Sequence, residues 1–164
     1  VISLIVRVLG EKGDRATAED LAQETFVKAY LKLAAFDTTR RLSSWLFRIA
    51  HNTAIDALRR ARVTLVSVDD PAADPEIQGH LPTPPAPVDP VEAEALGRAL
   101  GQALESLRYE YRVAVTLRYE EGLPFEEIAQ VLGVPEVTAR SFVHRARKQM
   151  AELLTANGWQ PSGA

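Results

Sequence analysis

The stretch "LPFEEIAQVLGVPEVTARSFVHRARKQMAELL", Leu123 to Leu154, decides how this chain folds. Its apolar residues recur at helical rather than strand spacing on both sides of a Gly133-Val134-Pro135 break. Before the break, Ile128, Ala129 and Leu132 share the inward face of a short helix; after it, Ala139, Val143, Ala146, Met150 and Leu153 share that of a longer one. Two amphipathic helices joined by a brief turn containing Gly form the helix-turn-helix outline. On the second helix Val137, Arg140, Ser141, His144 and Lys148 face outward, near the end that enters a major groove in such motifs. A plain helical hairpin shares the inward pattern. The turn, the inward alanines and the outward basic row together favour DNA.

Upstream, a helix is expected from about Tyr109 to Glu120, ended by Gly122. Before it, "DPVEAE" offers Asp89 as N-cap, Pro90 as first helical residue and Glu92 as the reciprocal capping partner. Further back the helical period vanishes. Residues 63–89 hold six of the ten prolines and no Lys or Arg. Such a segment has too little apolar surface to offset its ordering entropy, so it reads as a flexible acidic linker. "VTLVSV" at its start is the one strand-like run. The expected architecture is all-α: two small helical domains, 1–62 and 90–156, joined by the linker 63–89 and followed by a tail, 157–164.

In the first domain Thr17 and Asp20 fit a capping box. The helix they open carries Ala22, Phe26, Ala29, Tyr30 and Leu33 as one stripe, expected to face the core. Asp20, Glu24, Val27 and Leu31 recur on a second face, where two acids beside two apolar residues leave a partner surface and an ordinary solvated face equally open.

The next helix, "WLFRIAHNTAIDALRRAR", runs from Trp45 to Arg62 and holds four Arg and a His against one Asp, although the chain's formal charge is −3. Leu46, Ile49, Ala50, Thr53 and Ala57 fall inward, and Arg48, His51, Asn52, Ile55, Arg59 and Arg62 outward. Arginines follow phosphates, an amide reads a base edge, and aromatics such as Trp45 and Phe47 stack on unpaired bases. The alternative is a solvated face whose Arg stems cover the edge of the core.

Other function classes find little support. There is no cysteine, and His51, His80 and His144 are scattered without metal-ligand spacing. Glu126-Glu127 read more simply as a solvated helix start than as catalytic acids. We expect no catalytic residues, no metal and no cofactor. The apolar start "VISLIVRVLG" is too short to cross a bilayer and reads as the end of a helix. A cytoplasmic protein without membrane insertion is expected.

Three strings, in order, resemble bacterial RNA polymerase sigma factors of the extracytoplasmic-function (ECF) group. "AEDLAQETFVKAY" is similar to the family's polymerase-binding helix, "WLFRIAHNTAIDALRR" to its promoter-melting, −10-reading helix, and "LRYEEGLPFEEIAQVLGVPEVTARSFVHRAR" to its −35-reading helix-turn-helix. The resemblance implies that Asp20, Gln23 and Glu24, with Val27 and Leu31 beside them, grip the polymerase clamp helices. It implies that Asn52 and the loop from Phe36 to Ser44 capture a flipped −10 base, offsetting the few kcal/mol of unpairing. The implied −10 set is Leu42, Trp45, Arg48, His51, Asn52, Arg59 and Arg62. The implied −35 set is Val137, Thr138, Arg140, Ser141, His144, Arg145 and Lys148. Implied partners are core RNA polymerase and promoter DNA, with an anti-sigma factor as a further candidate. The chain departs from the family pattern at Leu42, where an aromatic is usual, at Val137-Thr138-Ala139, commonly Gly-Thr-Val, and at Phe142, which replaces a usual Arg. The rival expectation is a free-standing helix-turn-helix regulator.

Overall fold

The structure, a computed structural model, describes residues 1–10, 13–62 and 90–159, and the side chains of these except 62 and 90–92. All regular structure among the described residues is helical: α1 (Ile2–Leu9), α2 (Arg15–Lys32) with a 3₁₀ turn (Leu33–Ala35), α3 (Leu42–Arg62), α4 (Pro90–Ser106), α5 (Tyr109–Val115) with a π-helical turn (Thr116–Glu120), α6 (Phe125–Leu132) and α7 (Glu136–Ala156). The segment "VTLVSV" and the expected N-cap Asp89 lie outside the described residues.

Helix α2 is capped one turn earlier than expected. Asp14 is extended (φ −79°, ψ 170°), and its carboxylate accepts the Thr17 amide at 2.7 Å, so Thr17 lies inside the helix. The buried face of α2 is Ala18, Leu21, Ala22, Thr25 and Ala29. Of the expected core stripe only Ala22 and Ala29 are inside; Phe26, Tyr30 and Leu33 are 54%, 78% and 51% exposed. Small side chains explain the rotation, because they let α2 lie close against α1 and α3. Thr25 joins them at no polar cost, its hydroxyl donating to the Leu21 carbonyl at 2.7 Å.

Helix α3 is central and packs against α1, α2 and α6. Ile49, Ala50 and Thr53 are buried as expected, with Leu46 and Ala57 half-buried. Contact on three sides widens the buried sector. His51 is therefore inside, 6% exposed, and Ile55 is half-buried against the core, so neither belongs to the outward row.

The helix expected from Tyr109 to Glu120 changes pitch at Thr116, and Gly122 (φ 67°) then turns the chain so that the Leu123 amide donates to the Leu117 carbonyl at 2.9 Å. The second turn is as read. Gly133 is left-handed (φ 69°), where a Cβ would be strained, and the Val134 amide donates to the Ala129 carbonyl at 3.1 Å. On α7, Ala139, Val143 and Ala146 are buried, Met150 is half-buried, and Leu153 is exposed at the edge of a cleft it lines with Ser106 and Leu107.

The helices before and after residues 63–89 share a core. Leu4, Ile5 and Val8 of α1 and Phe47, Ala50 and Ala54 of α3 cluster with Val113, Ala114, Leu117, Ile128 and Val143. Each half alone has few large apolar residues, and joining them supplies a core of workable size. Buried Arg112 pins the junction: Nε donates to the Arg7 carbonyl at 2.6 Å and Nη1 to the Glu105 carbonyl at 2.8 Å. Gly10 lies against this guanidinium, where a Cβ would come within 2.6 Å of Nη2.

Candidate protein-binding and nucleic-acid surfaces

The first surface is the outer side of α2. Asp20 and Gln23 are exposed, Val27 and Leu31 are 60% and 75% exposed, and Phe26 and Tyr30 extend the patch. Exposed apolar residues are ordinary singly, but this many contiguous on one helix make it a candidate docking face. Glu24 is more constrained. It pairs with Lys28 at 2.7 Å and Arg60 of α3 at 3.9 Å, and the Lys28 bond, ahead of the Lys28 and Arg60 charges, holds its carboxyl below the ordinary value. Sequence reasoning missed Phe26 and Tyr30 by assigning them inward. Their size beside the small Ala18, Ala22 and Ala29 was the available signal.

The second surface combines the start of α3 with the loop before it. Asp37 nucleates the loop: its carboxylate accepts the Thr39 hydroxyl at 2.7 Å and the Thr39 amide at 3.0 Å, and these bonds depress its pKa. Phe36 and Trp45 close the loop's base, their ring centroids 5.0 Å apart. Leu42 is 53% exposed at the first residue of α3. Arg48, Asn52 and Arg59 form an exposed row, and Trp45 is half-buried at its head. The side chain of Arg62 lies outside the described residues. His51 does not join the row. Both its ring nitrogens are buried without a hydrogen-bond partner among the described residues, and burial lowers its pKa against a smaller opposing effect of the Asn52 side chain.

The third surface is the outer side of α7. Val137 is 73% exposed, Arg140 and Lys148 are exposed, and Thr138, Ser141, His144 and Arg145 are half-buried. The structure brings all seven onto one helix. Arg140 is held within the protein: its guanidinium bonds Glu136 at 2.5 Å and stacks 4.7 Å from the centre of the Phe125 ring, where Arg118 lies at the same distance. Arg145 Nη1 donates to the Tyr111 hydroxyl at 3.4 Å. Phe142, the departure from the family pattern, turns inward to pack on Tyr111 at 5.5 Å, bridging the shared core and a second cluster around Leu104, Leu107 and Ala146.

Among the described residues there is no group of three or more His, Asp or Glu placed to hold a metal, and no helix long and apolar enough to cross a membrane.

Comparison with known proteins places the chain in a family. Residues 1–64 match the Sigma-70 region 2 family and residues 97–150 the Sigma-70, region 4 family. The chain is 31% identical to the ECF RNA polymerase sigma factor SigW of Bacillus subtilis, over 94% of this chain and 82% of that protein. It is 36% identical to the ECF RNA polymerase sigma-E factor of Escherichia coli, over 90% and 77% of the two chains. It is also 36% identical to the ECF RNA polymerase sigma factor SigE of Mycolicibacterium smegmatis, over 94% of this chain and 57% of that longer one. The fold matches the sigma factor RpoE, solved in complex with the anti-sigma factor NepR from Bartonella quintana, with TM-score 0.66 and 26% identity over 94% and 91% of the chains. It also matches CnrH, solved in complex with the cytosolic domain of CnrY, with TM-score 0.59 and 25% identity over 95% and 81%. With both sigma regions in order and relatives aligned along most of their length, the chain belongs to the ECF RNA polymerase sigma factors.

Proposed function

We propose that this sigma factor binds core RNA polymerase through the outer side of α2, reads the −35 element as duplex with α7, and captures a −10 base with the loop before α3. The observation that carries the proposal is the exposed apolar stripe Phe26, Val27, Tyr30 and Leu31 flanked by Asp20, Gln23 and Glu24. A free-standing regulator has no use for such a face, whereas a subunit that must dock on a large partner does.

The −35 role falls to Val137, Thr138, Arg140, Ser141, His144, Arg145 and Lys148, with basic residues for phosphates and base edges and Val137 for apolar contact. The −10 role falls to Leu42, Trp45, Arg48, Asn52 and Arg59. Buried His51 supports the helix that presents them. The domain division follows, with 1–62 gripping polymerase and opening the −10 region and 90–156 reading −35. Held unpaired base offsets the cost of unpairing, so melting needs no chemical step by this subunit.

The site of action is the cytoplasm, where polymerase works. An anti-sigma factor is a further candidate partner, since both solved relatives were captured with a bound protein, one of them named as an anti-sigma factor. Run-off transcription with core polymerase on a promoter library tests the reading. Specific transcripts that depend on the added chain are expected, and tight specific DNA binding without polymerase, with no transcripts, would overturn it.

A further inference from the structure

The first arginine of α7 is not a free arm. Side chains on a helix lean toward its N-terminus, so Arg140 reaches back over the first turn of α7. There its Nε and Nη2 both donate to Glu136 Oε1, at 3.1 and 2.5 Å. Glu136 is the first residue of α7, where the positive end of the helix dipole favours a carboxylate. The guanidinium also lies 4.7 Å from the centre of the ring of Phe125, the first residue of α6. Arg118, on the π-helical turn after α5, secures that ring: it lies 4.7 Å from the ring centre, and its Nη1 donates to the Leu123 carbonyl at 2.9 Å. Contacts from two helices thus fix a guanidinium whose side chain is still 59% exposed.

We propose that Glu136 and Phe125 are positioning residues that make Arg140 a reader of guanine in the −35 element. The bonds to Glu136 occupy the Nε–Nη2 edge of the planar guanidinium and leave its Nη1–Nη2 edge, a fork matched to O6 and N7 of guanine. An arginine loose on its stem exchanges among phosphates and any base that offers one acceptor. A held one meets what its remaining edge fits, and reaching elsewhere first costs it both contacts. A guanine met in place costs it neither, so the hold widens the gap between the right base and the wrong ones. The two residues thereby turn an arm suited to the backbone, which carries no sequence information, toward a base edge, which does. Neither needs to touch the DNA itself. This inference rests on the reading of α7 as the −35 reader.

The test is selection of duplex promoters, randomised across −35, by holoenzyme assembled from the full chain and core polymerase, with base frequencies read by sequencing. Glu136→Gln removes the carboxylate at unchanged size, and Phe125→Leu removes the ring at unchanged charge, so what the two have in common is the hold on Arg140. The unaltered chain should select guanine at one position, and Arg140→Ala should remove that preference. Glu136→Gln and Phe125→Leu should each cut it about fivefold or more at that same position, with the others unchanged. Phe125→Tyr, which keeps a ring for the guanidinium, should retain the preference. A guanine preference kept in full by either Glu136→Gln or Phe125→Leu would overturn the proposal. So would a loss spread evenly over every position, which marks damage to the helix-turn-helix rather than to one contact. If Arg140→Ala alters no position at all, the reading of α7 itself fails, a distinct result.

Discussion

Leu31→Ala on α2 separates docking from folding. Leu31 is 75% exposed, so its removal withdraws little from the folded core, and alanine is the best helix former. Surface changes of this kind move stability by about 0.5 kcal/mol or less. Docking is another matter. Full burial of a leucine side chain is worth about 1.5–3 kcal/mol, and most of that area is still available for burial against a partner, leaving about 1–2 kcal/mol. That corresponds to about 5- to 30-fold in Kd. Tyr30→Ala, at 78% exposure, should act in the same direction. Reversing Glu24 is less clean, because it also breaks the pairs with Lys28 and Arg60. The assay is a titration of labelled chain with core polymerase, alongside far-UV circular dichroism and thermal melting. An unchanged Kd for both variants would refute the docking assignment. A weaker Kd with a large fall in Tm would refute the claim that the stripe is spare surface.

Arg140→Ala should weaken closed-complex formation on duplex promoter by about 1–3 kcal/mol if the guanidinium makes a bidentate base contact, with little effect on a template premelted across −10; gel-shift titrations with holoenzyme on both templates check this. Asn52→Ala should leave initial duplex binding intact and reduce open complexes, read by permanganate footprinting. His51→Leu should flatten stability against pH. Its folded pKa is depressed below 6.5, so as pH falls through that value the unfolded chain takes a proton the buried ring refuses, and stability drops by up to about 1.4 kcal/mol per pH unit. The depressed carboxyls of Asp14, Glu24 and Asp37 add their own losses only toward and below their ordinary values of 3.8 to 4.5, so thermal melts between pH 7.5 and 5.5 isolate His51.

The helix-turn-helix was legible because its signals agree: glycine at the left-handed cap, alanines inward, basic residues outward. Helix α2 was harder. Two apolar stripes compete on it, and periodicity alone ranks Phe26 and Tyr30 above Ala18 and Thr25 as core residues. Which stripe is buried depends on how closely α1 and α3 approach, a tertiary fact that favours the small face. His51 failed for a related reason. A helical wheel allots one inward side to α3, but a helix packed by three neighbours loses more of its circumference. The Glu127 contact with Ser44 and Arg41 was invisible, since it joins residues more than eighty positions apart and each looks locally like a solvated polar residue.

The same enclosure supports the single-strand role proposed for α3. Its exposed polar residues are Arg48, Asn52, Asp56, Arg59 and Arg60; Arg48, Asn52 and Arg59 form one line, separated by four and seven positions, with acidic Asp56 beside it. At 1.5 Å per residue these lie about 6 and about 10.5 Å apart along one line, too narrow a track to engage both backbones of a duplex. Helix α7 offers the opposite geometry. Val137, Arg140, Ser141, His144 and Lys148 follow at spacings of three, one, three and four, giving a broader band that could meet base edges and flanking phosphates together. On the proposed reading the two basic helices thus divide the DNA between them, because burial leaves a narrow cationic line bordered by Asp56 on one and a broader band on the other.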